Sequence, residues 1–136
     1  MKIYVAGRVK QMRRVRAVQQ TFKRYGHVVT FDWTGPEGEQ KPDWSHDPEW
    51  ACTLSKRERR GVLDADGVVL VGHGCEEGGG GLGCFVEVGM AMAYGRPVVV
   101  YGPCRESVFW YLPRVTRVRY VNQCVPAMYD LLREGL

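Results

Sequence analysis

Residues Gly78–Gly95 read GGGGLGCFVEVGMAMAYG, and this stretch decides the fold. An apolar run, Gly67–Val71 (GVVLV), precedes it and a second, Pro97–Tyr101 (PVVVY), follows. Apolar run, glycines, helical pattern and apolar run together describe one βαβ unit of a parallel sheet. Gly78 to Gly81 and Gly83 allow a sharp turn and a close backbone approach to a ligand. Phe85, Val86, Val88 and Met90–Ala93 make the helix apolar almost all round, which predicts burial. Glu87 is the sole charge between Gly78 and Tyr94. It is expected near the helix start, where the dipole favours an ionised carboxylate. Such a group at the carboxyl end of a parallel sheet suits a nucleophile or a ligand anchor. A surface glutamate on an ordinary helix is the plainer alternative.

Working outward, Lys2–Ala6 (KIYVA) reads as a first strand ending at Gly7, and Lys10–Tyr25 as an amphipathic helix. Val15, Val18, Phe22 and Tyr25 share one face of it, and Gly26 caps it. Val28–Phe31 is read as the second strand and Val68–Val71 as the third. Val98–Tyr101 and Val118–Val121 are read as the fourth and fifth. Pro48–Ala65, Ser107–Leu112 and Pro126–Glu134 are read as further helices. The expected fold is α/β: a five-stranded parallel sheet with helices on both faces and flavodoxin-like order 2-1-3-4-5, in one domain over residues 1–136. That order brings the loops after the first and third strands to one crevice, at the switch point where ligands bind. No G-x-G-x-x-G follows the first strand, which argues against a dinucleotide dehydrogenase.

Between the second strand and the next helix, Asp32–Asp47 is rich in glycine and proline and carries Trp33 and Trp44. Its tryptophans either stack on a planar base or pin the loop to the surface. Composition adds bounds. The 136 residues are 45% apolar and 25% charged, with a net charge of +4, as in an ordinary globular domain. No run is long enough to span a bilayer and no signal peptide opens the chain, so a cytoplasmic protein is expected. The basic clusters around Arg13–Arg16 and Lys56–Arg60 read as solvated helix faces rather than a nucleic-acid surface, though a small anionic partner fits them. Five cysteines without C-x-x-C spacing read as reduced thiols. His73, Cys75 and Cys84 lack an obvious fourth ligand for a metal.

With these pieces assembled, the chain resembles the nucleoside 2-deoxyribosyltransferase family, which includes the 2'-deoxynucleoside 5'-phosphate N-hydrolases. The matching residues are Ile3–Gly7 (IYVAG), Ala65–Val69 (ADGVV), Leu82-Gly83 with Glu87–Ala91 (EVGMA), and Gly95–Val98 (GRPV). The resemblance implies that Glu87 attacks the anomeric carbon of the sugar and that Tyr4 orients it. It implies no metal or organic cofactor, a nucleotide or nucleoside as substrate, and a homodimer. Cleaving an N-glycosidic bond builds positive charge on the sugar, which an anionic carboxylate stabilises. A second acid is needed to protonate the departing base.

Three positions depart from the family. Its second carboxylate, an aspartate eight residues before the one opening the third strand, falls on Glu58, one methylene longer. Glu58 also lies among four basic residues, so an ion pair on its own helix competes with a catalytic role. Six residues before Glu87, the aspartate or serine that reads the sugar's 5' position is Gly81. That removes any repulsion of a 5'-phosphate, which Arg8 and the amides around Gly81 and Gly83 can hold. The Asp32–Asp47 loop finds no counterpart. Gly7, Arg8 and Trp33 complete the substrate-binding candidates, with Ser107, beside Arg105, reaching the partner's site. Rival readings are a glycohydrolase of NAD or a cyclic nucleotide, a non-catalytic nucleotide-binding module, and an accessory protein on DNA.

Overall fold

A computed structural model describes residues 1–38, 44–74 and 81–135 of the chain. Five parallel strands form one sheet in the order β2-β1-β3-β4-β5. They are β1 (Lys2–Ala6), β2 (Val28–Val29), β3 (Gly67–Val71), β4 (Val98–Tyr101) and β5 (Val115–Val118). β1 pairs with β3 in register from Ile3 opposite Gly67 to Ala6 opposite Leu70. Four helices accompany them: α1 (Met12–Arg24), α2 (Pro48–Asp64), α3 (Leu82–Ala93) and α4 (Cys124–Glu134). The chain steps from β1 outward to β2, then back across β1 to β3. Right-handed crossovers in opposite directions put their helices on opposite faces. Accordingly α1 packs with α4, and α2 with α3.

The strands β1, β3 and β4 carry the core. Ile3, Tyr4, Val5 and Ala6 are fully buried, as are Val68–Val71 and Val98–Val100, because central parallel strands are covered on both faces. Helix α2 opens on Asp47, whose carboxylate accepts from the Trp50 amide at 3.0 Å, with Pro48 at the first helical position. Both features satisfy or dispense with a free helical N–H.

The sequence expectations need correcting in several places. β2 is two residues long rather than four. β5 starts three residues earlier than expected, at Val115, where it pairs with β4 from Val98 onward. Residues after it turn instead into a short 3-10 helix, Val121–Gln123, capped by Tyr120. Helix α4 begins at Cys124, since Pro126 falls within the first turn, where its missing N–H costs no hydrogen bond. A 3-10 turn, Val9–Gln11, leads into α1, and Tyr25 at its end is exposed, not on the apolar face. Ser107–Leu112 is a 3-10 helix over Val108–Tyr111. Helix α3 is buried on one side only: Leu82 and Val86 are exposed while Cys84, Glu87, Val88 and Ala91 face inward.

Candidate active site

A cavity of about 840 Å³ lies at the switch point between α2 and α3. Its floor is the turn after β1, Gly7 to Lys10; one wall is the start of α3, Gly81 to Cys84; the opposite wall is the α2 face bearing Trp50, Leu54, Ser55 and Glu58. Glu87 and Trp33 close it. Of the nine site candidates read from the sequence, Gly7, Arg8, Trp33, Glu58, Gly81, Gly83 and Glu87 line this one space, and Tyr4 reaches it through Glu87.

Glu87 is the sixth residue of α3, a turn further along than its expected place at the helix start. It is 7% exposed, which removes the surface-glutamate alternative. The Tyr4 hydroxyl donates to Glu87 Oε1 at 2.7 Å within the core. Burial pushes the Glu87 carboxyl up to about 8, against the Tyr4 hydrogen bond, which lowers it; the nearby Glu58 charge raises it further. Desolvation thus outweighs the helix dipole that was expected to favour the ionised form. Tyr4's phenol is itself held well above its usual value, by burial first and by the Glu87 charge second. Tyr4 therefore stays a donor.

Glu58 faces the cavity, half-buried, and burial raises its pKa. On this helix Arg60 pairs with Asp64, at 2.8 Å. Two carboxyls with raised pKa values, one from each wall, therefore meet in one pocket. Such a pair retains a proton near neutrality, as general acid-base work on a glycosidic bond requires.

Arg8 is 4% exposed, and its stem runs over Gly81. A Cβ on Gly81 would collide with Arg8 Cγ and stand 2.7 Å from Cδ and 2.8 Å from Nε. Gly81 also sits at φ 71°, in the left-handed region that suits glycine. So Gly81, where the family resemblance led to the expectation of a polar side chain, is matched by an arginine using the same volume. Gly7 has a packing role: a Cβ there would meet Val15 Cγ2 at 2.6 Å. The candidate amides of residues 78–80 lie outside the described residues, as does Cys75 of the metal candidate. His73 packs against Phe85, and Cys84 Sγ donates to the Gly81 carbonyl at 2.9 Å.

Two candidates also have structural ties. Trp33 is buried, and its Nε1 donates to the Val5 carbonyl at 2.8 Å, so it is a fixed wall rather than a loop residue free to stack. Ser107 lies outside the cavity and accepts from the Phe109 amide as the cap of the 3-10 helix. Sequence reading missed Trp50 and Ser55 as lining residues, although their spacing from Glu58, eight and three residues, puts them on its helix face.

The sequence profile described as nucleoside 2-deoxyribosyltransferase matches residues 3–124, nearly the whole described chain. The chain belongs to the nucleoside 2-deoxyribosyltransferase family. Among solved structures, it is similar to the 2-deoxyribosyltransferase of the psychrotolerant bacterium Bacillus psychrosaccharolyticus. The TM-score is 0.72 at 20% identity, over 97% of this chain and 96% of the other, a likeness of fold. No curated protein sequence matches the chain. Family membership supports deoxyribosyl transfer or N-glycosidic cleavage as the general chemistry, with a nucleoside-type small molecule as substrate. No helix among the described residues is long and apolar enough to cross a membrane.

Proposed function

We propose that this member of the family cleaves the N-glycosidic bond of a nucleoside 5'-monophosphate, with Glu87 as nucleophile and Glu58 as the acid. The observation that carries it is the Tyr4 hydroxyl on Glu87 Oε1, 2.7 Å away, beneath an open cavity. The hydrogen bond occupies one carboxylate oxygen and fixes the plane of the group, leaving the other oxygen for the anomeric carbon.

In the first step the Glu87 oxygen bonds to the anomeric carbon as the bond from that carbon to the base nitrogen breaks. The base takes the proton held by Glu58, whose burial keeps it protonated longer than a solvated glutamate. Burial holds a proton on Glu87 in the empty pocket. The reactive state is the ionised one, reached when that proton leaves to solvent before the step while Glu58 keeps its own. Positive charge growing on the sugar favours the anion at the moment it is needed. In the second step water, or an incoming base, gives its proton to Glu58 and displaces Glu87 from the sugar. Trp33, Trp50 and Leu54 supply the apolar wall against which a planar base fits.

Arg8 and the start of α3 favour the monophosphate over the free nucleoside. The arginine brings a full charge to the cavity, and the start of α3, where helix amides lack intrahelical partners, lines it. A homodimer fits the same reading. Leu82 and Val86 on α3, with Val108, Phe109 and Tyr111 beyond β4, are exposed on either side of the Phe85–Trp110 contact. An apolar face of this kind suits a second copy, and Ser107 and Arg105 lie at its edge.

The test is incubation with matched nucleosides and nucleoside 5'-monophosphates, with release of free base followed by chromatography. Base release faster from the monophosphates supports the reading. Release only in the presence of an acceptor base and only from free nucleosides returns a transferase, and no release from any member of the panel returns a binding module.

A further inference from the structure

Gly61 lies within α2, a position where glycine is a poorer helix former than alanine and where its presence calls for a packing reason. The reason is visible on the side facing β1. A Cβ at position 61 would stand 2.8 Å from Phe31 Cβ and 3.0 and 3.1 Å from Cδ2 and Cε2 of the Tyr4 ring. The first distance is one that real Cβ atoms do not adopt, and the ring contacts are tighter than ordinary packing. The helix is also tied down at this residue. Thr30 Oγ1 lies 2.7 Å from the Gly61 carbonyl and 3.4 Å from that of Ile3, and the Thr30 amide donates to Ile3 at 2.9 Å. Thr30 thus brackets α2 to β1 beside Tyr4.

Glu58 is one turn before Gly61 on the same helix face. We propose that Gly61 is a positioning residue: its bare backbone lets α2 close onto the Tyr4 ring, and this sets the Tyr4–Glu87 hydrogen bond. Tyr4 is fully buried on a strand paired on both edges, so the ring has no free side to retreat to. A methyl group at position 61 therefore either turns the ring or lifts the helix. Either way the ring loses the seat that aims its hydroxyl at Glu87. The catalytic part of the inference rests on the reading of Glu87 as nucleophile given above.

The experiment is a double-mutant cycle of Gly61→Ala with Tyr4→Phe, reading base release against pH and thermal stability. Gly61→Ala is expected to slow release by about ten- to a hundredfold, the scale of a small misplacement at a reacting centre. It should move the acid limb to higher pH, as Tyr4→Phe does. In the Tyr4→Phe background the same substitution should cost little further rate, while its loss of melting temperature is the same in both backgrounds. Additive rate effects, or a lower melting temperature with an unmoved acid limb, overturn the proposal and leave Gly61 a packing residue only. If Gly61→Ala does not fold, Thr30→Val, which releases the helix without adding bulk, must show the same non-additivity with Tyr4→Phe. Additivity there also overturns it. Should Tyr4→Phe itself leave the rate unchanged, the catalytic reading fails instead. The positioning claim is then read without turnover, from the carbon-13 resonance of the Glu87 carboxyl, whose titration must move upward in Gly61→Ala. An unmoved titration refutes it.

Discussion

Replacing Glu87 by glutamine keeps the shape of the side chain and its hydrogen bond from Tyr4, but removes the ability to ionise. The consequence for stability depends on pH in a way that packing alone does not produce. The Glu87 carboxyl rises from an ordinary 4.5 to about 8 in the folded protein. Below the unfolded value the group is protonated in both states and carries no penalty. Between the two values the unfolded chain loses its proton while the folded one keeps it, so stability falls as pH rises, and the fall is complete above the folded value. At 1.36 kcal/mol per unit the full difference is on the order of 5 kcal/mol. Glu87→Gln should therefore be close to neutral at pH 5 and markedly stabilising at pH 9. For a domain of this size the gain at pH 9 should exceed about 10 °C in melting temperature. Scanning calorimetry of both proteins at the two pH values isolates the effect, because every other titrating group is common to them. An equal difference in melting temperature at pH 5 and pH 9 would refute the argument that desolvation dominates this carboxyl.

Arg8→Ala should reduce the kcat/KM advantage of a 5'-monophosphate over its parent nucleoside by about tenfold or more, since a charge-assisted contact contributes about 1.5–3 kcal/mol. Steady-state rates on both substrates check this, and an unchanged ratio places the phosphate elsewhere. Mixing an inactive Glu87→Gln chain with one carrying Arg105→Ala and Ser107→Ala should restore roughly a quarter of the wild-type sites if the active site is shared across a dimer. Hybrids that form without recovering activity mean that the site is built within one chain.

The sheet order was legible because β1 (after Lys2), β3 and β4 are apolar and each is bounded by a glycine, a proline or a turn. β5 was not, because Val115–Val118 and Val118–Val121 are equally rich in strand-forming types. What chooses between them is the pairing of Val98 with the Arg114 carbonyl, a long-range contact. Glu87 stood out as a lone charge in an apolar helix, but its environment did not. Hydropathy alone would bury Leu82 and Val86 and expose the glutamate, and the fold does the reverse. Exposed apolar residues on α3 are visible only once the sheet has taken its share of the helix. Glu58 was readable as a site residue only through the family resemblance, since its basic neighbours suggest an ion pair as readily. The collision of Gly81 with Arg8, and of Gly61 with Tyr4, needed coordinates: a glycine in a sequence does not name the side chain that occupies its missing volume.

In the proposed mechanism Glu87 becomes covalently bound to the sugar. A substrate carrying fluorine at the 2' position slows hydrolysis of the ester by destabilising positive charge on the sugar. Mass spectrometry of the protein after exposure to it, followed by peptide mapping, measures the claim directly. A mass gain equal to the sugar portion is expected on the peptide containing Glu87 and is absent from Glu87→Gln. A sugar adduct on another residue, or a Glu87→Gln protein that releases base at the wild-type rate, would contradict it.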